Sequence, residues 1–224
     1  MSDQDILRHL AEQMAEVANL PEQAETIELW TDLNDLRPVR PLVWLSDITW
    51  HELNVDDELT LTCQEPFCRE VEDTLRKTIY QWRHMRVDMV VEPLFHCPLA
   101  ISDSGLGIDV DETIARIDPA NPIVSHEYHP QIQDDGDLDR IVTPQVTHDT
   151  AESEQRLQIC RDAFGDVLTV VPSGIHHTVF APWDILMRWI GGRIFEYIVD
   201  RREMMHEAVS RLLAAYLGRL RQYQ

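Results

Sequence analysis

The fold depends on the stretch Asp88-Met89-Val90-Val91-Glu92-Pro93-Leu94-Phe95-His96, where a short apolar run stops at a carboxylate, a proline and a histidine. Residues 41–47 and 167–172 have the same pattern, and a helical pattern follows each. Apolar runs that alternate with helices are typical of parallel strands covered by helices on both faces. We therefore predict strands at about 42–47, 87–92 and 167–171, joined by right-handed crossovers.

Helical periodicity marks much of the remaining chain. Apolar residues spaced three and four apart predict a series of helices. They lie at 3–19, 21–34, 66–84, 151–164, from Pro182 to Gly191, at 193–199 and at 202–222. Pro21 and Pro182 suit the first turn of a helix, and Gly165 suits a helix end.

The predicted organisation is an N-terminal helical extension, residues 1–36, followed by a partial barrel over 37–224. Residues 97–148 are rich in proline and acidic turns, and we interpret them as an irregular insertion. Short strands at 107–110 and 114–117 could pair within it.

Composition excludes several partners. The 224-residue chain has 40 acidic against 19 basic residues and a net charge of −21, which repels nucleic acid and anionic lipid surfaces. No apolar stretch approaches the roughly 20 residues that cross a bilayer, and no signal-peptide pattern follows Met1. We therefore expect a cytoplasmic protein.

Its four scattered cysteines are typical of reduced thiols.

Five segments carry a resemblance to a known family: RPVRPLVW at 37–44, WHELN at 50–54, LRKTIYQW at 75–82, DMVVEP at 88–93 and FAPWDIL at 180–186. Together they resemble the uroporphyrinogen decarboxylase-like superfamily, on the branch related to corrinoid-dependent methyltransferases. The likeness spans roughly residues 5–222. It implies a TIM-type (β/α) barrel, of which this chain would supply only the N-terminal part.

The resemblance implies one of two reactions: methyl transfer between a methylated small molecule and a corrinoid carrier protein, or decarboxylation of a tetrapyrrole. We favour methyl transfer. The arginine-rich loop that holds substrate carboxylates in porphyrinogen decarboxylases has no counterpart, because Arg37 and Arg40 precede the first predicted strand. A strongly negative chain also repels a polyanionic porphyrinogen. The alternative is a non-catalytic or split-barrel interaction module that needs a complementary chain.

The part of the barrel that this chain would supply gives no support for a zinc site. The resemblance implies zinc ligands mostly in the later barrel strands of the methyltransferases. His96 and Cys97 are the pair in this chain that most resembles such zinc ligands. Neighbouring residues on an extended chain point to opposite sides, however, so the two cannot bind one ion together. We assign no metal.

Ionisable and aromatic side chains follow the predicted strands, where the chemistry of parallel α/β proteins lies. We assign catalytic roles to Asp47, Glu92 and His177, because carboxylates and histidines can exchange protons there. The substrate-binding candidates are Trp50, His51, His96 and Trp183. The carboxylates and histidines each have a structural alternative: Asp47 could cap a turn, Glu92 could belong to a buried ion pair, and the histidines could be hydrogen-bonded or surface loop residues.

Assembly follows from the strand count. Three strands cannot close a barrel, so an isolated chain would leave apolar strand faces and a sheet edge uncovered. We therefore expect a homo-oligomer, a complex with a complementary subunit, or extra strands contributed by the insertion at 97–148.

Overall fold

Residues 1–54, 56–116, 124–175 and 180–223 are described by the computed structural model of the chain. The helices are α1 (Asp3–Ala18), α2 (Pro21–Asn34), α3 (Pro66–Met85), α4 (Thr150–Phe164), α5 (Pro182–Ile190), α6 (Ile194–Asp200) and α7 (Arg202–Leu220). The strands are β1 (Leu94–Pro98), β2 (Ala100–Asp103), β3 (Glu112–Ala115), β4 (Ser125–Tyr128), β5 (Val146–Asp149) and β6 (Thr169–Ser173). The chain is therefore a mixed α/β protein. None of the helices within these ranges is long and apolar enough to cross a membrane.

Two compact units make up the chain. The first unit contains Met1–Leu99 and Thr150–Ser173, and the second contains Ala100–Asp149 and Gly174–Gln224. The predicted helical extension and two of the three predicted strands fall in the first part of the first unit. Most of the predicted insertion falls in the second unit.

A parallel strand pair lies within the first unit. β1 pairs with β6 in register from Leu94 opposite Thr169 to Pro98 opposite Ser173. Helix α1 packs against α3 and α4, and α4 packs against both strands. The apolar faces of these elements meet in one core, in which the Phe95 ring meets Phe164 edge to face with 5.4 Å between ring centroids.

The helix ends follow local chemistry. Ser2 and Asp5 form a capping box at the start of α1, which satisfies two backbone N–H groups. Proline stands in the first turn of α2, α3 and α5, where its missing N–H costs no helical hydrogen bond. At the end of α5, Gly191 has φ +66° and a Cβ there would lie 2.6 Å from the carbonyl oxygen of Tyr128, so only glycine fits.

The second unit packs α5, α6 and α7 into its own core with apolar residues of the 108–141 region. Two antiparallel pairs belong to this unit. β2 pairs with β5, and β3 pairs with β4. The predicted pairing of 107–110 with 114–117 is therefore wrong, because 112–115 takes 125–128 as its partner.

The predicted helices are confirmed to within one or two residues at nearly every boundary, whereas two predicted strands are wrong. Residues 42–47 form no strand, and Val43 and Trp44 are exposed. Residues 87–92 are also irregular, and the strand begins later, at Leu94. The backbone of 88–91 bonds to the side chains of Trp30 and Gln23 and to the carbonyls of Val43 and Arg86, instead of to a neighbouring strand. The third predicted strand overlaps β6. In the described residues, parallel pairing is confined to β1 and β6.

A buried carboxylate ties α3 to the segment before it. Glu72 is fully buried and accepts hydrogen bonds from the backbone N–H of Thr62 and of Cys63, at 2.9 and 2.8 Å, and from Arg76 Nε at 2.8 Å. Burial raises the pKa of Glu72, but the bonds from Cys63, Arg76 and Thr62 outweigh it and leave that pKa below its ordinary 4.5. The charged form is thus stabilised in the fold.

Glu72→Gln is expected to destabilise the first unit by about 3–5 kcal/mol, because Arg76 and the two N–H groups lose their buried anion. Asp73→Asn is the control, since Asp73 pairs with Lys77 at the surface and should cost less than about 1 kcal/mol. Urea unfolding measures both. Since the folded pKa of Glu72 is lowered, its contribution is present above about pH 4.5 and is lost as pH falls. Equal stability of the two variants at neutral pH would contradict this role.

Candidate functional site

Asp88 joins two irregular segments of the first unit. Its carboxylate, about 10% exposed, accepts hydrogen bonds from the Arg40 guanidinium and, at 2.8 Å, from the backbone N–H of Val43. The hydrogen bonds from Arg40 and from Val43 lower the pKa of Asp88 to about 2. The backbone N–H of Asp88 donates in return to the Val43 carbonyl at 3.3 Å. Residues 40–43 are therefore held beside Asp88 without belonging to a sheet.

Helix α2 contacts the segment that contains Asp88 through two long side chains. The Trp30 indole N–H donates to the Asp88 carbonyl at 2.8 Å. Gln23, which is buried, accepts from the backbone N–H of Val91 at 2.9 Å. From the side of α3, Gln81 donates to the carbonyl of Leu45 at 2.9 Å. These bonds satisfy backbone groups that a strand would have paired, which fixes the irregular segments.

A pocket of about 520 Å³ opens where these segments meet α2. We call it the indole pocket, after two of its lining residues. It is lined by Ile27, Trp30, Thr31, Asn34, Trp44, Val90 and Glu92. Its volume falls in the range of small-molecule sites, roughly 300–1,000 Å³. Trp44 is 53% exposed, whereas tryptophan side chains are highly buried on average.

Glu92 is the single charged group among the described lining residues. Its side chain is exposed, and in the described parts of the chain no ion pair or side-chain hydrogen bond engages it. The alternative assignment of Glu92 to a buried ion pair is therefore wrong. A free carboxylate beside two indoles can bind positive charge or exchange a proton.

The other predicted residues of the first unit lie in different surroundings. Asp47 is exposed in an irregular segment. Trp50 and His51 belong to a 3₁₀ turn, Trp50–Glu52. The Trp50 ring packs edge-on against Tyr80 of α3, with 6.3 Å between ring centroids. His96 is an exposed residue of β1. Among these residues and Glu92, the structure brings only Glu92 into the lining of the indole pocket.

Two predicted residues fall elsewhere. His177 lies outside the described residues, so its assignment stays a prediction. Trp183 belongs to the second unit, where it lines a separate pocket of about 520 Å³ together with Arg202 and His206.

Sequence reasoning missed Trp30, Trp44, Arg40 and Asp88 as parts of one site. One signal was present: an aspartate directly before an apolar run must find a partner if it is buried. Arg40, directly before the apolar run at 41–47, is that partner. The pairing joins residues 48 positions apart, which no local pattern shows.

The described residues form neither a metal-binding cluster nor a reactive-thiol site at Cys63 or Cys68. Within them, no three His, Cys, Asp or Glu side chains are grouped to hold a metal ion. Burial, together with neighbouring carboxylates, raises the pKa of Cys63 and of Cys68 to about 12. Both thiols are therefore protonated and unreactive at neutral pH.

Comparisons with models of known protein families, with curated proteins and with solved structures give no match. A functional assignment therefore rests on the residues and geometry of this chain.

Asp88→Asn is expected to release residues 40–45 and to lower the melting temperature, because Arg40 loses its anion and Val43 its charged acceptor. The folded pKa of Asp88 lies below its ordinary 3.8, so its contribution is present above about pH 3.8 and is lost as pH falls towards about 2. Thermal melts across this range, followed by tryptophan fluorescence, measure the effect. Asp35→Asn, which removes an exposed partner of Arg37, is the control. If both variants melt alike, Asp88 does not organise the site.

Proposed function

We propose that this chain is a uroporphyrinogen decarboxylase-like protein that acts in methyl transfer, with a methylated small molecule in the indole pocket and a corrinoid carrier protein as its partner. One observation carries the proposal. Two of the family-like segments, 37–44 and 88–93, are joined through Asp88 and both contribute to the lining of the pocket. Three of the seven lining residues, Trp44, Val90 and Glu92, thus come from segments that carry the resemblance, and the other four come from α2.

The size of the pocket suits the small molecule rather than the cofactor. A volume of about 520 Å³ is too small for a corrinoid with its side chains, so the corrinoid would stay on its carrier and supply the methyl acceptor. Trp30, Trp44 and Val90 would enclose the methyl-bearing end of the substrate. Glu92 would exchange a proton with the heteroatom, which keeps the bonding electron pair when the methyl group leaves it.

The fold that we propose is a partial TIM-type barrel. In its support, β1 and β6 are parallel and α4 directly precedes β6 and packs on both strands, as in a β/α repeat. The remaining strands of the barrel would come from another copy or a complementary chain in the cytoplasm.

Tetrapyrrole decarboxylation is less well supported. A porphyrinogen carries several carboxylates, which basic side chains would have to bind. The described lining of the indole pocket contains a carboxylate and no basic side chain.

An interaction module remains the second candidate, because α5 and α6 of the second unit carry exposed apolar side chains. Phe195 is 67% and Val199 69% exposed, and Trp183 and Ile198 are also exposed. Exposed apolar side chains of this size, when they form a patch, generally mark an interface. This candidate predicts self-association that Phe195→Ser weakens, whereas Leu36→Ser, another exposed apolar position, does not. Sedimentation velocity measures it, and a monomer at micromolar concentration would contradict it.

The methyl-transfer proposal predicts that the chain, with its complementary subunit if one is needed, moves a methyl group from a small donor to reduced cobalamin, used as a free acceptor. Absorbance of methylcobalamin measures the rate for a panel of methylated amines, ethers and thiols. Glu92→Gln should lower the rate by roughly 100-fold or more and leave the melting temperature unchanged, because Glu92 is exposed and unpaired among the described residues. Glu25→Gln, at an exposed position of α2 outside the lining, is the control. No transfer from any donor would contradict the proposal.

A further inference from the structure

We propose that the indole pocket binds a small organic cation with apolar substituents, such as a methylated ammonium. The proposal rests on the proposed function for treating the pocket as the substrate site. The class of ligand follows from the lining itself.

The two indoles supply faces for a cation. A cation over an aromatic ring is attracted by the ring quadrupole, and tryptophan is the strongest such partner. The bond from the Trp30 indole N–H to the Asp88 carbonyl, 2.8 Å long, restrains the position of that ring. Trp44 is more than half exposed, so its ring is available to a ligand. Ile27 and Val90 add apolar surface that would contact the methyl groups.

Charge favours a cation over the alternatives. Glu92 supplies the single negative charge of the described lining, and nothing in the described chain neutralises it. The arginines that flank the site-forming segments have carboxylate partners of their own: Arg37 pairs with Asp32 and Asp35, Arg40 with Asp88, and Arg86 with Glu22. A net charge of −21 adds a field that attracts cations.

Other ligands would use less of the site. An anion would be repelled by Glu92, and a neutral apolar molecule would gain nothing from the carboxylate. A strongly hydrated inorganic cation would gain little from Ile27 and Val90. A cation whose charge is spread over methyl groups contacts the indoles, the apolar side chains and the carboxylate together.

The test compares choline with 3,3-dimethylbutan-1-ol, its uncharged isostere, by isothermal titration calorimetry at constant ionic strength. Choline should bind about tenfold more tightly, as expected for a cation–π contact together with an exposed carboxylate. Tetramethylammonium should compete with choline, and pivalate, an anion of similar shape, should not.

Three variants separate the contributions. Glu92→Gln should remove most of the preference for choline and leave the isostere unchanged, whereas Glu25→Gln should change neither. Trp44→Leu keeps an apolar side chain without an aromatic face and should lose the preference, whereas Trp44→Phe should keep part of it because an aromatic face remains.

Equal affinity for choline and the isostere, competition by pivalate, or choline binding that survives both Glu92→Gln and Trp44→Leu would overturn the inference. Choline binding that depends on Glu92 and Trp44, in a protein that transfers no methyl group, would refute the proposed function and leave the cation site standing. Loss of choline binding only when the chain self-associates would show instead that a second copy fills the pocket, and it too would overturn the inference.

Discussion

The carboxylate of Asp88 is the constraint on which the site depends. A buried carboxylate is costly unless charged and hydrogen-bonding groups surround it, and Asp88 obtains both from Arg40 and Val43. The backbone carbonyl of Asp88 also accepts a hydrogen bond from the Trp30 indole N–H. One residue therefore connects α2 with two irregular segments, and the space between them becomes the indole pocket. The low pKa of Asp88, caused first by Arg40, reflects the strength of this arrangement.

Helices were predictable from sequence because their signals are local. Apolar spacing, the first-turn prolines and Gly165 specify the described helices with little reference to the rest of the chain. Strands were less predictable, because a short apolar run becomes a strand only if another strand pairs with it. Residues 42–47 and 87–92 are largely apolar, yet three of their backbone groups bond to the side chains of Asp88, Gln23 and Gln81. No local pattern reveals such a choice of partner.

The candidate site was predictable to a similar, partial extent. Glu92 stood out because a carboxylate interrupts an apolar run, and the structure places it in the lining of a pocket. Trp30 was not singled out, because no local pattern shows that its half-buried ring borders a pocket. Glu72 was not singled out, because a glutamate inside a helix is ordinarily a surface residue. Its burial depends on Thr62 and Cys63, which precede the helix.

The central claim is that the pocket built around Asp88 binds a ligand between the indoles and Glu92. A crystal structure grown with tetramethylarsonium tests it most directly, because arsenic scatters X-rays anomalously and marks the position of the cation. We expect an anomalous peak bordered by Trp30, Trp44 and Glu92, and a much weaker peak in Glu92→Gln crystals grown under the same conditions. A pocket without arsenic at saturating cation, or equal peaks in the two proteins, would contradict the account.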